Sequence, residues 1–173
     1  MPGVEIVVLD ASEAREACSE LARVLHDCVA GGASVSFMHP FSEQDAESFF
    51  HRVAEEVEAG QTILLAARVD GRIEGTVQLG LATPPNQPHR ADVKKLLVYR
   101  DARNRGVAEA LMTRLEGVAR EAGRTLLVLD TVRGGTAERL YTRLGWQRTG
   151  VIPDYALFPD GRFCDTVVFW KKV

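Results

Sequence analysis

Arg103, Asn104, Arg105, Gly106, Val107 and Ala108 have the residue types of an anion cradle, with Arg-x-x-Gly-x-Ala spacing. Gly106 and Ala108 are small enough for a ligand to approach the backbone, and guanidinium groups fork onto phosphate oxygens. Arg90 to Val98 reads as a strand before this loop. From Gly106 to about Glu121, Val107, Ala110, Leu111, Leu115 and Val118 recur on one face of a helix after it. A strand, tight loop and helix in this order aim backbone N–H groups and the positive end of a helix dipole at one spot. The predicted ligand is a pyrophosphate.

A second set of residues has the chemistry of proton transfer. Asp130 ends the apolar stretch Thr125 to Asp130, and Tyr141 lies at i+4 from Ala137 on a short helix opening at Thr136. Spacing alone fits Tyr141 as a core aromatic and Asp130 as a solvated residue or a cap for the turn at Thr131. Glu74, Gln78 and Asp92 are rival polar residues on nearby strands. Phe37, Tyr155 and Phe158 fall in loops, where they either close over an acceptor or pack beneath the chain. His26, His39, His51 and His89 show no H-x-x-x-H or cysteine pairing, so no metal site is expected. Cys18 and Cys28 sit on an apolar helix stripe, which argues against a covalent cysteine mechanism. Walker and G-x-G-x-x-G loops are both absent from the sequence.

The elements that must position these groups follow from periodicity and punctuation. Val4 to Leu9 reads as a strand, and Ser12 offers the cap of a helix that runs to Gly31-Gly32. Ala33 to Pro40 is irregular. Ser42, with Asp45 at the capping-box position, opens a helix ending at Gly60. Thr62 to Val69 and Arg72 to Leu81 are strands joined by the hairpin signal Asp70-Gly71. Ala82 to His89 is a proline-rich loop. Trp146 to Val151 and Phe163 to Trp170 form a last strand pair, with Pro153 to Gly161 the loop between them. The order βααβββαβαββ predicts one α/β (α+β) domain over residues 1–173, with helices on both faces of a mixed sheet.

Composition narrows the class. The chain has 173 residues, 46% of them hydrophobic, and a formal net charge of −3. That length supports a single core, and the mixed charge argues against a nucleic-acid or membrane-surface protein. No run reaches the roughly 18 apolar residues of a membrane span, and no signal peptide is visible. Three widely spaced cysteines read as reduced thiols, so a cytoplasmic location is expected.

Three motifs in order resemble the GNAT superfamily of acyl-CoA N-acyltransferases. Arg103-x-x-Gly106-x-Ala108 is similar to its Q/R-x-x-G-x-G/A loop. Leu126-Leu127-Val128-Leu129-Asp130 resembles the strand that follows. Ala137-x-x-Leu140-Tyr141-x-x-Leu144-Gly145-Trp146 looks like the family's A-x-x-x-Y-x-x-x-G-F ending, with Trp for Phe. Asn104 stands where many such loops have glycine; it is the next most tolerant residue of a left-handed backbone. The resemblance covers essentially the whole chain. It implies a mostly antiparallel sheet of about seven strands, splayed between the fourth and fifth, and acetyl-CoA as cosubstrate without a metal. Residues 103 to 108 would hold the pyrophosphate, and Leu97, Val98 and Tyr99 would lie along the pantetheine. The Val98 N–H would stabilise the oxyanion, and Tyr141 would protonate the departing sulfur. Asp130 would act as base or substrate anchor, and Phe37 and Tyr155 would contact the acceptor. A homodimer through the final strands is common in such a family.

A narrower resemblance concerns the acceptor. Gly31-Gly32-Ala33-Ser34-Val35-Ser36-Phe37-Met38, Lys95-Leu96, Leu129-Asp130-Thr131 and Pro159-Asp160-Gly161-Arg162 look like the tabtoxin-resistance acetyltransferases. That subgroup implies a small primary amine, such as an amino-acid-like β-lactam toxin or antibiotic. The alternatives are acetylation of a protein or peptide, which needs an open groove, and a non-catalytic acyl-CoA-binding module.

Overall fold

Asp70 and Gly71 both take left-handed backbone angles, φ 51° and 80°, the combination that closes a two-residue hairpin between twisted strands. They join β2 (Thr62–Val69) to β3 (Arg72–Gly80). In the computed structural model, which describes residues 3–173, β1 (Val4–Leu9), α1 (Ala11–Glu16), α2 (Cys18–Ala30) and α3 (Glu43–Glu58) precede this hairpin. After it come β4 (Arg90–Val98), a 3-10 turn (Arg100–Ala102), α4 (Val107–Glu121), β5 (Leu126–Val132), α5 (Thr136–Arg143), β6 (Gln147–Leu157) and β7 (Phe163–Lys172). The seven strands form one sheet in the order β1-β2-β3-β4-β5-β7-β6. All neighbours are antiparallel except β4 and β5.

Strand alternation divides β2 between two cores. Leu64 and Ala66 pack with Leu21, Leu25, Phe50 and Val53 of α2 and α3. Leu65, Ala67 and Val69 pack with Leu111, Met112 and Leu115 of α4. Helices therefore cover both faces, as the element order predicts. Helix α4 comes very close to β3 at Gly75, where a Cβ would lie 2.8 Å from Val107 Cγ1 and 3.1 Å from Leu111 Cδ1. That glycine sets how deeply the first turn of α4 seats on the sheet.

The parallel pairing of β4 with β5 covers only Arg90↔Leu126 to Asp92↔Val128. Beyond it β5 stays with β7 as far as Val132↔Thr166, while β4 stays with β3 as far as Val98↔Gly75. The sheet therefore opens between its fourth and fifth strands. A bulge in β4 accompanies the opening: Gln78 pairs with Lys94 and Thr76 with Leu97, so Val77 alone faces Lys95 and Leu96. Lys95 takes φ 56° there, and the extra residue adds local twist.

Asp130 does not end its strand, since β5 runs on to Val132, and β7 runs on to Lys172; three further differences have a visible cause. Asp10, not Ser12, caps the first helix, because Asp10 accepts the Glu13 N–H (2.8 Å) while Glu13 accepts the Asp10 N–H (2.9 Å). The expected single helix to Gly31 is two, broken at Ala17, which ends α1 and starts α2. Pro153 to Leu157 belongs to β6 rather than to a loop. A proline survives there because β6 is an edge strand and is bulged between Ile152 and Ala156. Among the described residues no helix is long and apolar enough to cross a membrane.

Candidate active site

The loop before α4 turns on two left-handed residues, Asn104 at φ 59° and Gly106 at φ 78°. Asn104 thus adopts the conformation its type tolerates. Gly106 is the N-cap of α4 and brings no side-chain bond to it, whereas α1 and α3 both open with capping boxes. The first-turn N–H groups of α4 are therefore left to a ligand. A Cβ on Gly106 would meet nothing within 4 Å, so there is open room above the cradle. A 15-residue helix places its dipole behind the same amides, and the spot fits an anion such as pyrophosphate.

The free edge of β4 continues from this cradle. Tyr99 donates its N–H to the Glu74 carbonyl on β3 (2.8 Å). Alternation turns the Val98 N–H and C=O the other way, into the opening beside β5. The Val98 carbonyl accordingly takes no strand partner but accepts from Arg103 Nε (3.1 Å) and Cys28 Sγ (3.5 Å). The Arg103 guanidinium also lies 3.9 Å from the buried Asp27 carboxylate, which is held in turn by the Arg100 N–H (3.0 Å) and side chain. Arg103 is thus folded inward along the cleft wall, while Arg105 is exposed and stands outside that wall.

Together the cradle and edge form one side of a cleft of about 910 Å³. Tyr141 and Asp130 lie on its wall beyond the edge. Tyr141 is buried, its ring 5.9 Å from that of Trp146 and 5.8 Å from that of Phe169. Burial, and secondarily the nearby charge of Asp130, pushes its phenol far above the ordinary tyrosine range. Asp130 is exposed to the cleft and accepts the Thr166 hydroxyl proton (2.8 Å). Cys28 also reaches the wall, but burial raises its thiol pKa, which disfavours a thiolate.

The far end of the cleft is closed by a segment from another part of the chain. Ser34 Oγ donates to the Leu157 carbonyl (2.7 Å) and the His39 N–H to the Pro159 carbonyl (3.1 Å), fastening residues 34–39 to the β6–β7 hairpin. Leu97, Val98, Tyr155 and Phe158 line the cleft; Phe37 and Tyr99 do not. Phe37 packs instead on Phe41 and Phe49, with ring centroids 4.6 Å and 5.2 Å away. Tyr99 lies under the Arg23 guanidinium at 4.1 Å. The rivals Glu74, Gln78 and Asp92 stand outside the wall: Glu74 pairs with Arg23 (3.1 Å), Asp92 with Arg90, and Gln78 is buried. Lys95, which enters the sequence reading only through the narrower resemblance and with no role of its own, does reach the cleft and bonds to Ser36 Oγ (2.9 Å). Charge alone did not single it out, because β4 carries four charged residues in nine; the signal was its place beside Leu96 in the narrower resemblance. Among the described residues no cluster of His, Cys, Asp or Glu is arranged to hold a metal ion.

The model of the acetyltransferase (GNAT) family matches residues 21–146, which span β4, the cradle, α4, β5 and Tyr141. The chain belongs to the GNAT family. It is an acyltransferase of the N-acetyltransferase class. Its fold is similar to that of an N-acetyltransferase from Staphylococcus aureus Mu50, with TM-score 0.81 and 17% identity over 98% of each chain. A second similar structure is yncA from Salmonella typhimurium, described as an acetyltransferase with its cofactor acetyl-CoA. Its TM-score is 0.80 at 17% identity, over 98% of this GNAT chain and 94% of the other. The ribosomal-protein-alanine N-acetyltransferase of Brucella melitensis aligns with TM-score 0.80 and 19% identity, over 98% of this chain and 99% of its own. Acetyl-CoA is the cosubstrate of the family, and the open amides of α4 followed by an unpaired strand edge fit its pyrophosphate and amide-bearing arm.

Proposed function

We propose that this GNAT enzyme acetylates the primary amine of a small, amino-acid-like molecule. The observation that carries this reading is that one cleft holds an uncapped helix start, an unpaired strand edge, a buried phenol and a carboxylate. Acetyl-CoA, when bound, supplies an activated acetyl thioester. The backbone of Arg103, Asn104, Arg105, Gly106, Val107 and Ala108 holds its pyrophosphate, with the exposed Arg105 adding charge at the rim while Arg103 braces the wall. Leu97 and Val98 offer the strand edge to the pantetheine, and Tyr99 shapes that edge from behind. The Val98 N–H donates to the carbonyl oxygen as negative charge develops on it. Asp130 anchors the acceptor ammonium and takes its proton, so that the neutral amine forms the new C–N bond. Tyr141 gives its proton to sulfur as the C–S bond breaks. Its raised pKa keeps the phenol protonated at neutral and mildly alkaline pH, the form an acid must start from.

A small acceptor is favoured over a peptide because the 34–39 segment is bonded across to the β6–β7 hairpin, with Tyr155 and Phe158 on the wall there. Phe37 supports this closure from beneath. The amino-acid-like class follows the resemblance of these segments to the tabtoxin-resistance enzymes. A thiol-release assay tests the reading with α-amino acids, β-lactam dipeptide analogues and short peptides in parallel. Turnover of the small amines and none of the peptides is expected. Preference for peptides overturns it in favour of protein acetylation. Tight acetyl-CoA binding without CoA release for any amine overturns it in favour of a binding module.

A further inference from the structure

The acceptor end of the cleft carries few charges that are not already neutralised. Asp165 meets the Arg133 guanidinium (3.4 Å) and the Asp154 N–H (3.0 Å). Lys94 stands 3.8 Å from Glu56. The exposed Arg139 of α5 is without an ionic partner on the helix side of the wall, and on its strands two more charges remain without one among the described residues. One is Asp130, which takes only the Thr166 hydroxyl. The other is Lys95, whose ammonium bonds only to Ser36 Oγ at 2.9 Å and lies 5.8 Å from the Phe37 ring centroid.

The placement of Lys95 is built rather than accidental. In a regular strand its side chain would follow the alternation of β4. The bulge opposite Val77 and its own φ of 56° break that alternation, and the side chain joins the cleft wall. Phe37, Phe41 and Phe49 pack together beneath the loop that brings Ser36 to it. The result is one anion and one cation in the same small chamber.

We propose that Lys95 reads a carboxylate on the acceptor, so that the preferred substrate is a zwitterion whose ammonium meets Asp130 and whose carboxylate meets the Lys95 ammonium beside Ser36. This rests on the small-amine reading above and adds to it a residue that sets specificity. A lysine held this way is incomplete by itself. Desolvation lowers its pKa, Lys94 lowers it further, and Asp130 opposes them only in part. A carboxylate delivered by the substrate supplies the missing counter-charge. Neutral-tailed amines leave it unmet, and diamines bring a second ammonium against it.

The test uses amines matched except for the carboxylate: methionine with 3-methylthiopropylamine, phenylalanine with phenethylamine, and lysine with cadaverine. The wild type should prefer the carboxylated member of each pair that turns over by about 10- to 100-fold in kcat/KM, the usual effect of a hydrogen bond to a charged group. In Lys95→Met the preference should collapse toward one through KM, Lys95→Arg should retain most of it, and Lys95→Glu should reverse it toward the diamine. Acetyl-CoA titration of each variant checks that the donor end is folded. A wild type indifferent to the carboxylate overturns the proposal, as does a Lys95→Met that keeps the preference or loses kcat equally for both members. If no member of any pair turns over while acetyl-CoA binds, the small-amine reading itself fails and takes this one with it.

Discussion

The two ends of the cleft are built in opposite ways. The donor end is backbone: a contiguous loop, the amides of one helix start and one strand edge, with conformation doing the work at Asn104 and Gly106. The acceptor end is side chains, with Lys95 from β4, Asp130 from β5, Tyr155 from β6 and a fastening contributed by the segment before α3. Backbone donors survive every substitution but proline, so the donor end depends little on side-chain identity. Side chains on separate elements change independently, so the acceptor end is where specificity can drift without harm to the fold. Tyr141 stands where the two meet.

The sharpest way to break this comparison is at that meeting point. Tyr141→Phe keeps the ring packing against Trp146 and Phe169 and removes only the hydroxyl that carries the proton. The expected loss in kcat is about 100- to 10,000-fold, with acetyl-CoA affinity by titration calorimetry unchanged. Turnover equal to wild type would return Tyr141 to the role of a core aromatic. At the donor end, Gly106→Ala meets no neighbour but must hold φ 78°, at a cost of roughly 1–2 kcal/mol. Its methyl also points into the space above the cradle. A rise of about 5- to 30-fold in the KM for acetyl-CoA is expected, with little change in the KM for the amine. Equal rises in both would mean the two ends are not separable. The smallest effect is remote: Gly75→Ala overpacks against Val107 and Leu111 at about 1–3 kcal/mol. Thermal unfolding should fall by roughly 2–12 °C. The KM for acetyl-CoA should rise with it, because the first turn of α4 is lifted from the sheet. A lowered melting point with no change in that KM would separate helix seating from donor binding.

The donor end was legible in the sequence because its information is local. Arg103 to Ala108 are consecutive, the left-handed positions fall on the two residue types that tolerate them, and the flanking strand and helix show their own periods. Even there the side chains went elsewhere than residue type suggests. Arg103 turns to the Val98 carbonyl and Asp27, because a buried carboxylate two elements away competes for it. At the acceptor end Phe37, expected to contact the acceptor, packs away from the cleft, and Lys95, given no role by its type, lines it. The aromatic became a support under the loop and the cation became the wall, since a bulge set by pairing with β3 decides which residue of β4 faces the cleft. Asp10 displaced Ser12 as a cap for a related reason: both are good caps, and Glu13 completes the box only with Asp10.

The sequence by itself determined the class of chemistry. Hydrophobic period locates the strands and helices, turn residues mark most of their ends, and a small-residue loop before a helix exposes amides to an anion. Tertiary structure alone decided the depth of α4 on Gly75, the parting of β4 from β5 after Asp92, the bond of Lys95 to Ser36, and the placing of Lys95 and Asp130 on one cleft wall. These depend on register between strands and on segments dozens of residues apart, where a shift of one residue reverses the facing of every side chain.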